Sequence, residues 1–190
     1  MLSLVATLAL TPLAVAQEPV FAITPVQSTI KFSVKASVPI EGKFDKWNAT
    51  LKFASTDATT GVLDVEIQAA TVDTGSGMKN DKLKSKDFFD ASSNPLISFK
   101  SSKIIQTSPT TFDMPGTFTI RGVSKPETLT FTVNGTRGSG KGEIKGTMAF
   151  DRKDYGMNSG IPFIKIADRV EVDIDLIATR VSGPPLSFKQ

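Results

Sequence analysis

The chain has 190 residues, with 22 Lys+Arg against 19 Asp+Glu, and contains neither His nor Cys. That length points to one domain, and 39% hydrophobic with 22% charged residues excludes a disordered tail or a collagen-like rod. Without Cys or His there is no disulfide, thiol nucleophile, iron–sulfur cluster, imidazole or thiolate metal site, or Ser-His-Asp triad, which leaves carboxylate, Lys or Tyr chemistry, or none.

Leu2 to Val15 is an uncharged apolar run that ends in Ala14-Val15-Ala16, the small-x-small pattern preceding a signal-peptidase cut. It is shorter than the roughly 20 apolar residues of a membrane-spanning helix, and Pro12 interrupts it. The expectation is an exported protein, periplasmic or secreted, whose residues 1–16 are a signal peptide and whose single domain is 17–190, with a core over about 23–181. A buried N-terminal strand or helix is the alternative. The absence of Cys suits an oxidising compartment.

From there apolar and polar residues alternate, as strands with one dry and one wet face require. Ile30, Phe32, Val34 and Ala36 alternate with Lys31, Ser33 and Lys35; Trp47, Ala49, Leu51 and Phe53 with Asn48, Thr50 and Lys52; Leu63, Val65, Ile67 and Ala69 with Asp64, Glu66 and Gln68. After a break come Ile97 and Phe99, then Phe112, Met114, Gly116, Phe118 and Ile120. Leu129, Phe131 and Val133, then Ile144, Gly146, Met148 and Phe150, then Val170, Val172, Ile174 and Leu176 complete eight strands. The break, Asp73–Asn94, has a stretch free of β-branched residues from Met78 to Phe89, where Met78, Leu83, Phe88 and Phe89 make one apolar stripe. A short helix over about residues 78–89 follows, and Pro95 restarts extended chain. Eight antiparallel strands close into a barrel or stack as a sandwich, and counting does not decide between them. The inward set is rich in Phe, with Gly116 and Gly146 at inward parity, a pattern that fits a packed core as well as a ligand cavity with room left at the glycines.

Four stretches in order carry a resemblance: Ile30–Phe44 (IKFSVKASVPIEGKF), Thr71–Lys103 (TVDTGSGMKNDKLKSKDFFDASSNPLISFKSSK), Gly116–Leu129 (GTFTIRGVSKPETL) and Phe150–Ile177. They resemble the YceI-like family of lipocalin-like, polyisoprenoid-binding proteins. The resemblance implies an all-β, eight-stranded antiparallel lipocalin-like β-barrel with one inserted helix and a long apolar chain such as a polyprenyl or quinone-like tail held inside, in a family that no enzymatic activity defines; no catalytic residue, metal or cofactor is expected. On that reading the ligand-binding residues are Phe32, Val34, Phe44, Trp47, Leu51, Phe53, Val65, Ile67, Phe88, Phe99, Phe118, Ile120, Phe131, Val133, Met148 and Phe150, joined by two polar candidates. These are Arg152 and Tyr155 of Asp151-Arg152-Lys153-Asp154-Tyr155-Gly156, where Arg152 would meet a phosphate or quinone oxygen at the barrel mouth and Tyr155 would cover the tail. An ordinary turn with a self-paired charge cluster is the competing reading. Many members carry a histidine in the first hairpin or just after T-V-D-T; Lys35–Pro39 and Gly75–Gly77 stand there instead.

Arg121 and Lys125, beside the Gly122 turn, are expected to be solvated. Lys79, Lys82, Lys84 and Lys86 form a basic helix face suited to transient contact with an anionic membrane surface, interrupted by Asp81 and Asp87. Nucleic acid is not expected as a partner, because the aromatics lie at inward parity rather than beside the lysines. Oligomeric state is open, a homodimer through the helix being one form. Two alternatives to a lipid carrier stand: a small barrel isomerase or hydrolase acting on a bound lipid, for which no inward-parity Asp or Glu is found, and a purely structural β-sandwich.

Overall fold

The computed structural model describes residues 18–23, 25–135, 140–160 and 163–189. The proposed signal segment therefore lies outside the described residues. In chain order the strands are β1 (Val20–Ile23), β2 (Thr29–Ala36), β3 (Ile40–Phe44), β4 (Trp47–Phe53), β5 (Gly61–Gln68), β6 (Val72–Asp73), β7 (Leu96–Ser101), β8 (Ile105–Gln106), β9 (Thr111–Ile120), β10 (Val123–Asn134), β11 (Lys141–Asp151) and β12 (Ile166–Ser182), with helix α1 (Gly77–Lys84) between β6 and β7.

These segments make a closed, eight-stranded antiparallel barrel. β1 and β2 are two halves of one stave, both paired with β12. β3 and β4 form a second stave bent at Asp45-Lys46, β3 pairing with β2 while β4 pairs with β5 and touches β1. The remaining staves follow as β5, β7, β9, β10, β11 and β12, each beside its predecessor, and β12 meeting β1 and β2 closes the ring. Closure removes the free edges that would invite aggregation. Where the first stave breaks at the 3-10 turn Pro25–Gln27, buried Ser28 supplies what the ladder lacks: its hydroxyl accepts the Ile177 N–H at 3.0 Å.

The alternation read from the sequence is the inward face. Ile30, Phe32, Trp47, Phe53, Val65, Ile67, Phe99, Phe118, Ile120, Phe131, Met148, Phe150 and Val170 are buried, and the intervening Lys and Thr face out. The β9–β10 hairpin turns on Arg121-Gly122, both at positive φ (+55° and +73°) between the paired Ile120 and Val123, the two-residue geometry that matches strand twist.

The structure departs from the sequence reading in several places. β1 and β3 were not expected: VFAI does not alternate, and β3 has only Ile40 and Phe44 pointing inward around Gly42. The helix ends at Lys84 rather than 89 because Ser85 turns the chain, its hydroxyl donating to the Lys82 carbonyl at 2.7 Å, and Phe88 and Phe89 enter the core from turns. Met78 does not join an apolar stripe; it is 84% exposed. Gly116 leaves no room for a ligand, since a Cβ there would run into the Lys100 carbonyl oxygen and come within 2.8 Å of Phe99 Cζ; the neighbouring strand occupies that space.

Candidate functional site: a barrel interior with one open end

Three voids follow one another along the barrel axis, as the inward residues of β12 show. Ala178 and Arg180 border a wide cavity of about 430 Å³. Ile174 and Leu176 border a central void of about 30 Å³, and Val170 and Val172 a narrow one of about 70 Å³. From Val170 to Arg180 the strand runs roughly 34 Å, or about 25 Å along the axis at the usual tilt.

The narrow end is more nearly filled, with about 70 Å³ left. The rings of Phe118, Phe150 and Tyr155 meet at centroid distances of 5.0, 5.3 and 5.5 Å, the two Tyr155 contacts edge to face, and Phe32, Phe44 and Phe89 form a second triad nearby. Tyr155 is wholly buried, and its hydroxyl donates to Glu127 Oε1 at 3.0 Å. Burial, and then the bond to Glu127, push its ionisation well above the ordinary phenol range.

Arg152, 6% exposed, holds the loop before β12 in place. Nε donates to the Ala167 carbonyl at 3.1 Å, Nη1 to the Met157 and Ser159 carbonyls, and Nη2 to Asp168 Oδ1 at 3.2 Å. It borders the narrow void, but its donors are directed at this chain's own oxygens. Arg121 is not solvated as expected. Nη1 donates to the Gly156 carbonyl at 2.7 Å and Nη2 to the Lys86 carbonyl at 2.8 Å, bracing the loop after α1 against the turn after β11. Lys125 faces Asp154 at 3.8 Å. Of the basic helix face, Lys82 pairs with Asp87 at 2.6 Å and Lys84 with Asp81 at 3.3 Å.

The wide end differs. Phe112 and Phe131 lie stacked at 5.1 Å with an interplanar angle of 13°, and beyond them the space is open. The C-terminal segment forms one wall through Pro185, Leu186, Ser187 and Phe188. A parallel bridge holds it to Asp57, with Ser187 N–H donating to the Thr56 carbonyl at 2.7 Å and Ala58 N–H to the Ser187 carbonyl at 3.1 Å. Further along, the Gln106 amide exchanges two 2.8 Å bonds with the Lys189 backbone. The Phe188 ring meets Phe112 edge-on at 5.8 Å. Asp57 starts the turn Ala58–Thr60 by accepting the Thr59 N–H, which holds its carboxyl below the usual range.

Of the residues singled out from sequence, Leu51, Phe53, Phe131 and Val133 border the wide cavity. Val65, with Leu51 and Phe131 again, borders the central void. Phe32, Val34, Phe44, Ile67, Phe88, Phe118, Ile120, Phe150 and Arg152 border the narrow one. Trp47, Phe99, Met148 and Tyr155 border none of the three. Residues not singled out include Phe21, Ile104, Phe112, Ile144, Ala178, Arg180, Leu186 and Phe188. Ala178 and Arg180 extend the β12 alternation by two more steps, a signal present in the sequence. Among the described residues no three His, Cys, Asp or Glu side chains come together as metal ligands, and no helix is long and apolar enough to cross a membrane.

Residues 21–178 match the YceI-like domain. A curated relative, a UPF0312 protein of Pseudomonas savastanoi pv. phaseolicola, is 28% identical over 133 residues, covering 68% of this chain and 69% of its own length. Among solved structures, BcnA of Burkholderia cenocepacia superposes with a TM-score of 0.75 at 28% identity, over 83% of this chain and all of BcnA's (100%). A domain from Saccharophagus degradans, described as polyisoprenoid binding and implicated in plant cell wall breakdown, shares the fold with a TM-score of 0.66 at 14% identity, over 85% of this chain and 99% of its own.

Proposed function

The chain belongs to the YceI-like domain family, and we propose from that premise and from the barrel interior that it is a non-catalytic carrier. Its ligand is a long-chain isoprenoid, polyprenyl or quinone-like, or a similar amphiphile lying along the axis. The observation that carries the reading is the wide cavity. Its volume of about 430 Å³ falls within the range of small-molecule sites. A core that had only to be stable would fill such a space, because interiors pack as densely as organic crystals. The Saccharophagus degradans domain's description as polyisoprenoid binding agrees with it.

The cavity wall is carbon and backbone, with Lys141 and Arg180 as its charged members and no carboxylate among the described lining residues. That lining favours retention over turnover, since general acid–base work needs groups able to exchange a proton with the ligand and Lys141 alone among the described lining residues carries one. Each five-carbon unit moved from water onto such a wall contributes about 3–4 kcal/mol, at roughly 0.8 kcal/mol per CH₂-sized group. Tail length therefore governs affinity.

Export completes the proposal: residues 1–16 act as the signal, the mature chain works in the periplasm or outside the cell, and ligand is taken up by transient contact with a membrane surface. Sequencing the N-terminus of protein recovered from an expressing host checks this part, Gln17 being the expected first residue. The carrier reading itself is tested by mass spectrometry of protein purified without refolding, native and then solvent-extracted. A stoichiometric long-chain amphiphile is expected. A clean apo mass, with no adduct after polyprenols, quinones and fatty amides are offered, would overturn it.

A further inference from the structure

On β12 the inward positions Val170, Val172, Ile174, Leu176 and Ala178 carry only hydrocarbon, and the next inward position is Arg180. Its side chain borders the wide cavity. Across the ladder it pairs with Phe21, whose ring borders the same cavity. On its other side lies Gly140, where a Cβ would make ordinary contact with the Arg180 side chain, 3.8 Å from Nε.

Arg152 and Arg121 differ from Arg180 in what holds them. Arg152 has three carbonyls and a carboxylate, and Arg121 has two carbonyls. Among the described residues Arg180's side chain is held by one bond, from Nη1 to the Gly183 carbonyl at 2.9 Å. Among the described residues, too, no Asp or Glu pairs with Arg180 or lines its cavity. A tube of hydrocarbon that ends in a guanidinium with no carboxylate among the described residues around it matches an amphiphile whose head is an anion. A planar fork of N–H donors suits phosphate and carboxylate oxygens, whereas a hydroxyl or quinone head has no need of it.

We propose that Arg180 is the head-group receptor of the wide mouth, and that the ligand it selects is an amphiphile bearing a phosphate monoester or a carboxylate. This rests on the carrier reading above. The tail then points inward past Leu51, Met114 and Ile144, and the C-terminal segment, which carries Gly183, borders the head.

The test is a set of equilibrium-dialysis titrations with three probes that share one tail: geranylgeraniol, geranylgeranyl phosphate and geranylgeranoic acid. Wild type is expected to bind at least one anionic probe about tenfold more tightly than the alcohol. R180Q is expected to erase that preference to within twofold, and K100Q, a charge change on the outer face, to leave it intact. Preference for the phosphate alone identifies a phosphate ester; preference for both identifies any anionic head. Equal binding of the three probes by wild type, or a preference that survives in R180Q, would overturn the head-group inference and leave the carrier standing. Failure of all three to bind wild type would overturn the carrier. Should R180Q not fold, wild type still decides: raising the salt from 50 mM to 500 mM is expected to erode the anion preference and not alcohol binding, and a salt-independent preference would contradict an exposed ionic receptor.

Discussion

At one end of the barrel Phe118, Phe150 and Tyr155 close on each other edge to face and Arg152 collects four oxygens around itself. At the other, Phe112 and Phe131 stack flat against one another, a tail segment leans over them, and about 430 Å³ stays empty. The strands that connect the two ends are the same, so the difference comes from what the loops bring. Below β11 the loop supplies a Tyr ring and a guanidinium to the interior, while around the wide mouth the chain supplies glycines, a short turn and its own C-terminal segment. Aromatic rings make a plug where a third ring fits between two, and a wall where none does.

That contrast can be broken most severely at the narrow end. Phe150→Ala removes the ring shared by the triad and is expected to cost about 3–5 kcal/mol in urea denaturation, against less than about 2 kcal/mol for Phe188→Ala, whose half-buried ring caps the open side. Equal costs would mean that the tail is as structural as the plug. Arg152→Met removes the guanidinium donor of the Ala167, Met157 and Ser159 carbonyls and leaves Asp168 paired with Lys153 alone, and is expected to cost about 3 kcal/mol by the same assay. A neutral result would show that the loop before β12 does not depend on that guanidinium.

Tyr155→Phe keeps the ring and deletes one hydrogen bond, for a loss of about 1 kcal/mol at neutral pH. Its pH dependence sharpens the point. The folded state holds the phenol protonated beyond the range where the unfolded chain releases the proton. Wild-type stability is therefore fully present below the unfolded phenol range and falls as pH rises through and above it, while Tyr155→Phe flattens that fall. The smallest effect is expected from Asp57. Its carboxyl is held ionised in the fold by the Thr59 bonds, so its contribution is present above the ordinary carboxylate range and is lost as pH drops through its lowered folded value. Amide exchange at Ala58, bonded to Ser187, reads this loosening before any global unfolding.

Period-2 alternation was enough to reveal most of the barrel, because a sheet with one dry face must write that face into every second residue. It failed where a stave is short or irregular, as at Val20–Ile23 and around Gly42. It also overran the helix, because Phe88 and Phe89 look helical in spacing but reach the core from turns that Ser85 starts. The candidate site was legible as an inward set and not as a cavity: Phe131 and Phe150 alternate identically, and only the third ring brought by Tyr155 makes one a plug and the other a wall. Arg180 could be found by carrying the β12 alternation two steps beyond Leu176. Nothing in Pro185–Phe188 foretold a wall, since its position depends on bonds to Thr56 and Gln106, far away in sequence.

The most direct test of an interior open at one end is methyl NMR during titration with a polyprenol. Methyls of the wide cavity, Leu51, Met114, Ile144 and Leu186, are expected to shift at the first additions, while Val34, Leu83 and Ile166 at the narrow end hold still. Early shifts confined to the narrow-end methyls, with the wide-end set unmoved, would contradict the account.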